Sequence, residues 1–281
     1  MKNTNRNIIL TLSSLLTALM IVVSVVAMCT ENFYHFESAN WQVQSMGQDM
    51  INLFLIVPCL LVTAFLFRRG SKNAGLVLCG TLLYIAYTFT IYCFDIHFNR
   101  LFLLYCMCLG LSLYSTGYVI YIQCYVNISP IALPQKSVLR IIGIYFIFIA
   151  TSFYFLWLSE IIPATIHGRL PKSLLETGLV TNGVHVIDLS FFLPGIFIAG
   201  IVLLRKKPIG LVFAPVLLSF FILMDITIGF LSLLMSMRNL QDDITVAIAM
   251  AFLAMLSIAL LTGFFKIFQH KAQRNDDPSG T

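Results

Sequence analysis

The chain contains 281 residues, of which 59% are apolar and only 10% are charged, and its mean hydropathy is +0.92. Water-soluble domains carry about 25% charged residues, so this composition excludes a soluble fold. Because a membrane-spanning helix needs about 20 mostly apolar residues, the apolar content suffices for about eight spans and leaves no sizeable soluble domain.

Uninterrupted apolar runs without a charged residue predict six of the spans. In chain order these runs are 8–28, 50–67, 75–94, 101–125, 141–158 and 244–265. Two further runs are equally apolar, but 184–204 contains His185 and Asp188 near its start, and 209–237 contains Asp225 near its middle. No run alternates like a barrel strand. We therefore expect an all-α polytopic bundle of eight transmembrane helices, formed by a single membrane domain over 1–281.

The distribution of basic residues predicts the orientation of the chain. With both termini in the cytoplasm, 13 of the 17 Lys and Arg residues fall on the cytoplasmic side, and nine of the 12 acidic residues fall at the opposite end. Cytoplasmic loops are enriched in Lys and Arg, so we expect a multi-pass plasma-membrane protein, of the kind found in prokaryotic inner membranes. The basic residues occur in tight turns, which indicates the lipid bilayer as a partner and excludes nucleic acid.

The second and sixth spans share features that indicate an internal repeat. Each has an aspartate near its outer end, a proline within the span and a basic turn at its inner end. We align Asp49 with Asp188 and Pro58 with Pro194, which predicts a four-plus-four parallel pseudo-repeat with halves 1–129 and 130–281. Such repeats commonly place a substrate site between the halves. The alternative is a bundle without a repeat, since prolines and alternating basic loops are ordinary in membrane proteins.

Asp225 is a candidate for a functional residue inside the membrane. It lies half-way along the seventh span, and no Lys or Arg occurs at a comparable depth in another span. An aspartate at a helix centre costs about 2.5–3.5 kcal/mol on insertion scales. We therefore expect Asp225 to bind a ligand or an ion or to face a water-filled cavity; the alternative is a hydrogen-bonded acid with a structural role.

A second set of candidate residues lies near the extracytoplasmic ends of several spans. Its polar members are Gln48, Asp49, Asn52, Asp95, His97, His185 and Asp188. Imidazole and carboxylate groups bind zinc and similar divalent ions, so the two histidines and three aspartates are candidate metal ligands. No motif with a fixed ligand spacing occurs. A polar ligand pocket and ordinary interface residues remain alternatives.

Two tyrosines of the third span, Tyr84 and Tyr87, are candidate ligand contacts. A buried tyrosine hydroxyl requires a hydrogen-bond partner, and a cavity lined by tyrosines suits an organic ligand. The alternative is that such tyrosines anchor helices in the bundle or at the membrane interface.

Three functional hypotheses follow from the sequence. The first is a non-enzymatic protein that binds or transports a small molecule through a polar pocket open to the extracytoplasmic side. The second is a metal-dependent membrane-embedded enzyme that acts on lipid or on a lipid-linked substrate. The third is a non-catalytic subunit of a larger membrane complex. The chain has no phosphate-binding glycine loop and no lysine in the interior of a span, so we expect neither a nucleotide nor retinal as cofactor.

Reporter fusions test the predicted orientation. A reporter that is active only outside the cytoplasm should be inactive when fused after Thr281 and active when inserted in the connection 160–183. Activity of the fusion after Thr281 would show that the positive-inside pattern has been misinterpreted.

Overall fold

The described part of the chain forms a bundle of eight membrane-length helices without a strand. This part of the computed structural model comprises residues 2–126, 136–240 and 244–276. The helices are α1 (Asn3–Cys29), α2 (Ala39–Arg68), α3 (Lys72–Asp95), α4 (Phe102–Cys124), α5 (Ser137–Ile166), α6 (Gly183–Leu204), α7 (Gly210–Met237) and α8 (Thr245–Lys266). A short helix, Lys172–Thr177, lies between α5 and α6. The prediction of an all-α multi-pass membrane protein is confirmed.

Helices α3 and α7 form the centre of the bundle and pack directly against each other. In each of them 72% of the most apolar stretch is buried, compared with 17% in α8. Their contact is close at Gly80, where a Cβ atom would lie 2.5 Å from the carbonyl oxygen of Val216 and 2.6 Å from the Cβ of Ser219. Small residues permit such approach between membrane helices, whose association depends on packing rather than on exclusion of water.

Helices α2 and α6 each contain a π-helical turn followed by a proline. The turns are Asn52–Ile56 and Asp188–Phe192, and Pro58 and Pro194 each stand six residues after the first residue of their turn. Proline lacks an N–H group, and its ring displaces the carbonyl four residues earlier. The backbone widens before the proline, so that the residue after each turn donates its N–H to the carbonyl five residues back.

The matching turns suggest a different alignment for the predicted repeat. If the two helices are repeats, Asp188 corresponds to Asn52 rather than to Asp49, because Asp188 and Asn52 each open a π-turn. A helical segment of 12 residues follows each turn, and a residue with a positive φ angle, Gly70 or Lys206, follows each segment. The boundary of the predicted halves at 129/130 lies outside the described residues. The division into two halves stays a prediction.

The two ends of the bundle carry opposite charges. The end with the α1–α2, α3–α4 and α5–α6 connections, called the acidic end below, carries Glu31, Glu37, Asp49, Asp95, Glu160, Glu176 and Asp188. The other end, called the basic end, carries Arg6, Arg68, Arg69, Arg205, Lys206 and Lys207. The predicted orientation, with the acidic end outside the cytoplasm, depends on this separation.

Substitution of Gly80 tests the central packing. Gly80→Ala should lower stability by about 1–3 kcal/mol, because the added methyl group forces α3 and α7 apart. Gly117→Ala in α4 is the matched control, since a Cβ atom there meets nothing within 4 Å. Thermal unfolding of both variants in one detergent measures the difference. Equal unfolding temperatures for Gly80→Ala and the unmodified protein would contradict the close α3–α7 contact.

Candidate functional site

Asp188 connects three helices at the acidic end. Its Oδ1 accepts a hydrogen bond from the hydroxyl of Tyr87 in α3 at 3.0 Å, and its Oδ2 accepts one from the indole N–H of Trp157 in α5 at 2.9 Å. Asp188 is also the residue that opens the π-turn of α6. Single π-turns are frequent at functional sites. Through the hydrogen bond between them, the predicted candidates Tyr87 and Asp188 lie together.

A pocket of about 410 Å³ opens at the acidic end between α5, the short helix and α6. Its apolar wall includes Ile161, Leu174 and Leu189, and its polar groups include Asn182 and His185. Ligand pockets typically have volumes of about 300–1,000 Å³ and a mainly apolar lining with a few polar groups. The pocket has this volume and this kind of lining, and it is an open cleft rather than an enclosed cavity.

The imidazole of His185 is a polar group of this pocket that the protein leaves unbonded. His185 is only 7% exposed. Its backbone N–H donates to Oδ1 of Asn182, but its ring nitrogens form no hydrogen bond with any described residue. The ring packs on Trp157, with 4.5 Å between the ring centroids. Since Trp157 also bonds Asp188, a continuous set of contacts leads from the pocket to the centre of the bundle.

Asp49 is enclosed by tyrosine hydroxyls. Its Oδ2 accepts from Tyr34 at 2.6 Å and its Oδ1 accepts from Tyr92 at 3.0 Å, and Asp49 has no exposed surface. Tyr34 lies in the connection before α2, outside the spans. Burial raises the pKa of Tyr34 well above its usual value, and the neighbouring Asp49 raises it further. The phenol therefore remains a donor at neutral pH, and no surface of Asp49 is open to a ligand.

Asp95 and His97 bond residues of other elements at the acidic end: Asp95 bonds the starts of α2 and α6, and His97 bonds the α1–α2 connection. Oδ2 of Asp95 accepts from the N–H of Gly183, the first residue of α6, at 2.9 Å. The carbonyl of Asp95 accepts the indole N–H of Trp41 at 2.8 Å. Nδ1 of His97 lies 2.9 Å from Oε2 of Glu37, in the α1–α2 connection. A carboxylate at a helix N-terminus is stabilised by the helix dipole, so these contacts fix the start of α6 against α3.

A second polar network crosses the core between α2, α3 and α7. The hydroxyl of Tyr84 lies 2.7 Å from Oγ1 of Thr227 and accepts from Nε2 of Gln48 at 2.9 Å. The same Gln48 nitrogen donates to Oδ1 of Asn52 at 3.0 Å. The Nδ2 of Asn52 is buried without a hydrogen-bond partner among the described residues. Thus Gln48, Asn52 and Tyr84, three predicted candidates, form one cluster.

Asp225 takes part neither in the hydrogen bonds of the acidic end nor in the core network around Tyr84. It is 7% exposed in the middle of α7, and its Oδ2 has no hydrogen-bond partner in the part of the chain that the structure describes. The carboxyl group is therefore the least satisfied of the aspartates in the described spans.

The five candidate metal ligands do not converge. Within 2–126, 136–240 and 244–276, no group of three or more His, Cys, Asp or Glu side chains is placed to hold a metal ion. Asp49, Asp95 and Asp188 accept hydrogen bonds from tyrosine, backbone and tryptophan donors, and His97 bonds Glu37. Of the five residues, only His185 lines the pocket.

Sequence reasoning missed the partners of the predicted residues, namely Tyr34, Trp157 and Thr227. A signal for Trp157 existed, because a buried indole N–H requires an acceptor. Both tryptophans of the chain donate to an aspartate residue of the acidic end, Trp41 to Asp95 and Trp157 to Asp188. Tyr34 and Thr227 carry no comparable local signal.

Comparison with known proteins adds no template for this site. The chain matches no family model, and neither the curated proteins nor the solved structures give a significant match. The fold defines a multi-pass helical membrane protein.

Removal of the Tyr34 hydroxyl tests the Asp49 cluster. Tyr34→Phe should lower stability by about 1–3 kcal/mol, because it leaves a buried carboxyl oxygen without its donor. Tyr114→Phe is the matched control, since Tyr114 is 83% exposed in α4. Thermal unfolding in one detergent measures both changes. Equal unfolding temperatures for the two variants would show that the Tyr34 hydrogen bond contributes nothing.

Proposed function

We propose that the protein binds a small amphiphilic molecule from the extracytoplasmic leaflet of a plasma membrane, in the pocket at the acidic end. The observation that carries this proposal is His185, whose imidazole lines an apolar pocket and whose ring nitrogens form no hydrogen bond with a described residue. The two ring nitrogens are not enclosed by protein, and each can form a hydrogen bond. A ligand in the pocket can therefore bond the imidazole without displacing a protein partner.

The pocket determines the class of ligand. Ile161, Leu174 and Leu189 offer an apolar wall, and His185 with Asn182 offers hydrogen-bonding groups on one side. Exposed apolar side chains follow or precede lining residues in the sequence, with Leu175 at 66%, Val180 at 98% and Phe191 at 76% exposure. A bilayer covers such residues, so the pocket is accessible from lipid. An acyl or isoprenoid chain against the apolar wall and a hydrogen-bonding head at His185 satisfy both parts of the lining.

The contacts behind the pocket support a role beyond passive binding. A ligand that bonds His185 changes the position of a ring that lies against Trp157, and Trp157 holds Asp188 at the start of the π-turn. Asp188 in turn bonds Tyr87 of the central helix α3. Occupancy of the pocket is thus communicated to the packing of α6 on α3, which suits a protein that transports or senses its ligand.

Photo-crosslinking tests the proposal with a phospholipid that carries a diazirine in its acyl chain. In proteoliposomes, adducts mapped by mass spectrometry should concentrate on the pocket wall at Ile161, Leu174 and Leu189. Val186→Trp fills the pocket and should remove these adducts, whereas Val180→Trp, outside the pocket, should not. His185→Ala should reduce labelling about 2- to 10-fold, the value of one hydrogen bond.

Three results would oppose this function. Labelling spread evenly over all lipid-facing helices would show that the pocket has no ligand preference. A divalent metal that co-purifies in near-stoichiometric amount and is lost in His185→Ala would favour a metal-dependent enzyme instead. A larger protein that co-purifies, together with unchanged labelling in Val186→Trp, would favour a subunit of a membrane complex.

A further inference from the structure

Asp225 lies at the junction of α5, α7 and α8. Residues four apart share a helix face, and the residues four before and four after Asp225 contact these two neighbours. Phe221 contacts the ring of Tyr145 in α5, with centroids 6.1 Å apart. At Gly229 a Cβ atom would lie 3.4 Å from the Cβ of Met250 in α8. Asp225 stands between these contacts on the same stripe of α7.

No charged group balances Asp225 at this junction in the described chain. The residues 244–265 of α8 include no titratable side chain. On α5 the titratable group near Asp225 is Tyr145, whose hydroxyl already bonds Oγ of Ser257 in α8 at 2.8 Å.

Helices α2, α3 and α6 also pack against α7. Among their titratable residues, Asp49, Tyr87 and Asp188 are hydrogen-bonded at the acidic end, and Tyr84 is hydrogen-bonded to Gln48 in the core network. None of these residues bonds Oδ2 of Asp225, which has no hydrogen-bond partner among the described residues.

We propose that Asp225 is a proton-binding site and that loss of its proton loosens the packing of α8 on α7. A carboxylate without a donor in apolar surroundings requires water or a counter-ion, whereas a neutral carboxyl group does not. Only 17% of the apolar stretch of α8 is buried, and α8 packs mainly on α7 with a smaller contact to α5, so its displacement disturbs few other helices. Movement of α8 admits water to Asp225 and stabilises the charged form; return of the proton restores the contact.

This inference is independent of the pocket ligand. The pocket is lined by residues of α5, the short helix, the connection to α6 and α6 itself, and it includes no residue of α7 or α8. A failure of the crosslinking experiment therefore leaves the Asp225 site standing, and a failure of the Asp225 experiments leaves the pocket standing.

Infrared spectroscopy of the full-length protein in lipid detects the proton directly. The carbonyl stretch of a protonated carboxyl group should be present at low pH and should decline as pH rises. Asp225→Asn should remove this component, and Asp225→Glu should retain it at a shifted frequency. Asp188→Asn is the matched control and should leave it in place. Identical carbonyl bands for the unmodified protein and for Asp225→Asn at every pH would overturn the proposal.

Cysteine labelling measures the movement of α8. In Met250→Cys, the labelling of residue 250 by a membrane-permeant maleimide is mapped by mass spectrometry and divided by that of the exposed native Cys29. This ratio corrects for the effect of pH on thiol reactivity. It should rise with pH and become independent of pH when Asp225→Asn is added. A rise that is equal with and without Asp225→Asn would refute the coupling between the proton and α8.

Discussion

At the centre of the bundle, Gly80 lets α3 approach α7 until a methyl group would strike the carbonyl oxygen of Val216. Lipid is as apolar as the helix surfaces, so this close packing, rather than exclusion of water, holds the central pair together. The polar contacts between α2, α3 and α7, such as that of Tyr84 with Thr227, depend on the same approach. The remaining helices pack around this pair. At the acidic end, α3 is hydrogen-bonded to α6 through Tyr87 and Asp95.

The absence of water in a bilayer makes hydrogen bonding a guide to function. Asp49, Asp95 and Asp188 each accept hydrogen bonds from donors on neighbouring elements, and these contacts hold the acidic end together. His185 and Asp225 are each only 7% exposed, but in the described chain the imidazole nitrogens, which line the pocket, and the enclosed Oδ2 of Asp225 lack such partners. We propose that a ligand supplies the missing interaction to the imidazole and a proton supplies it to the carboxyl group. Both proposals therefore concern the unsatisfied groups and not the satisfied ones.

The π-turns of α2 and α6 show how a local irregularity positions a site. Pro58 and Pro194 force the backbone before them to widen, and the residues that open the two turns are Asn52 and Asp188. Each of these polar side chains bonds a residue on another part of the bundle or on the adjacent helical turn. The shared spacing in the two helices is the feature that supports the predicted repeat, with Asn52 in place of Asp49 as the equivalent of Asp188.

The sequence by itself determined the spans, the charge difference between the two ends and the helices that contain a proline. These are local properties, because about 20 consecutive apolar residues define a span whatever its neighbours are. It also identified Asp188, Tyr87, Gln48, Asn52 and Tyr84 as polar candidates, and the structure places them in two clusters. The sequence signalled that the indole of Trp157 needs an acceptor, but only the tertiary structure decided that Trp157, Tyr34 and Thr227 are the partners of these candidates. Hydrogen bonds between helices depend on which faces meet, and no spacing within one helix encodes that.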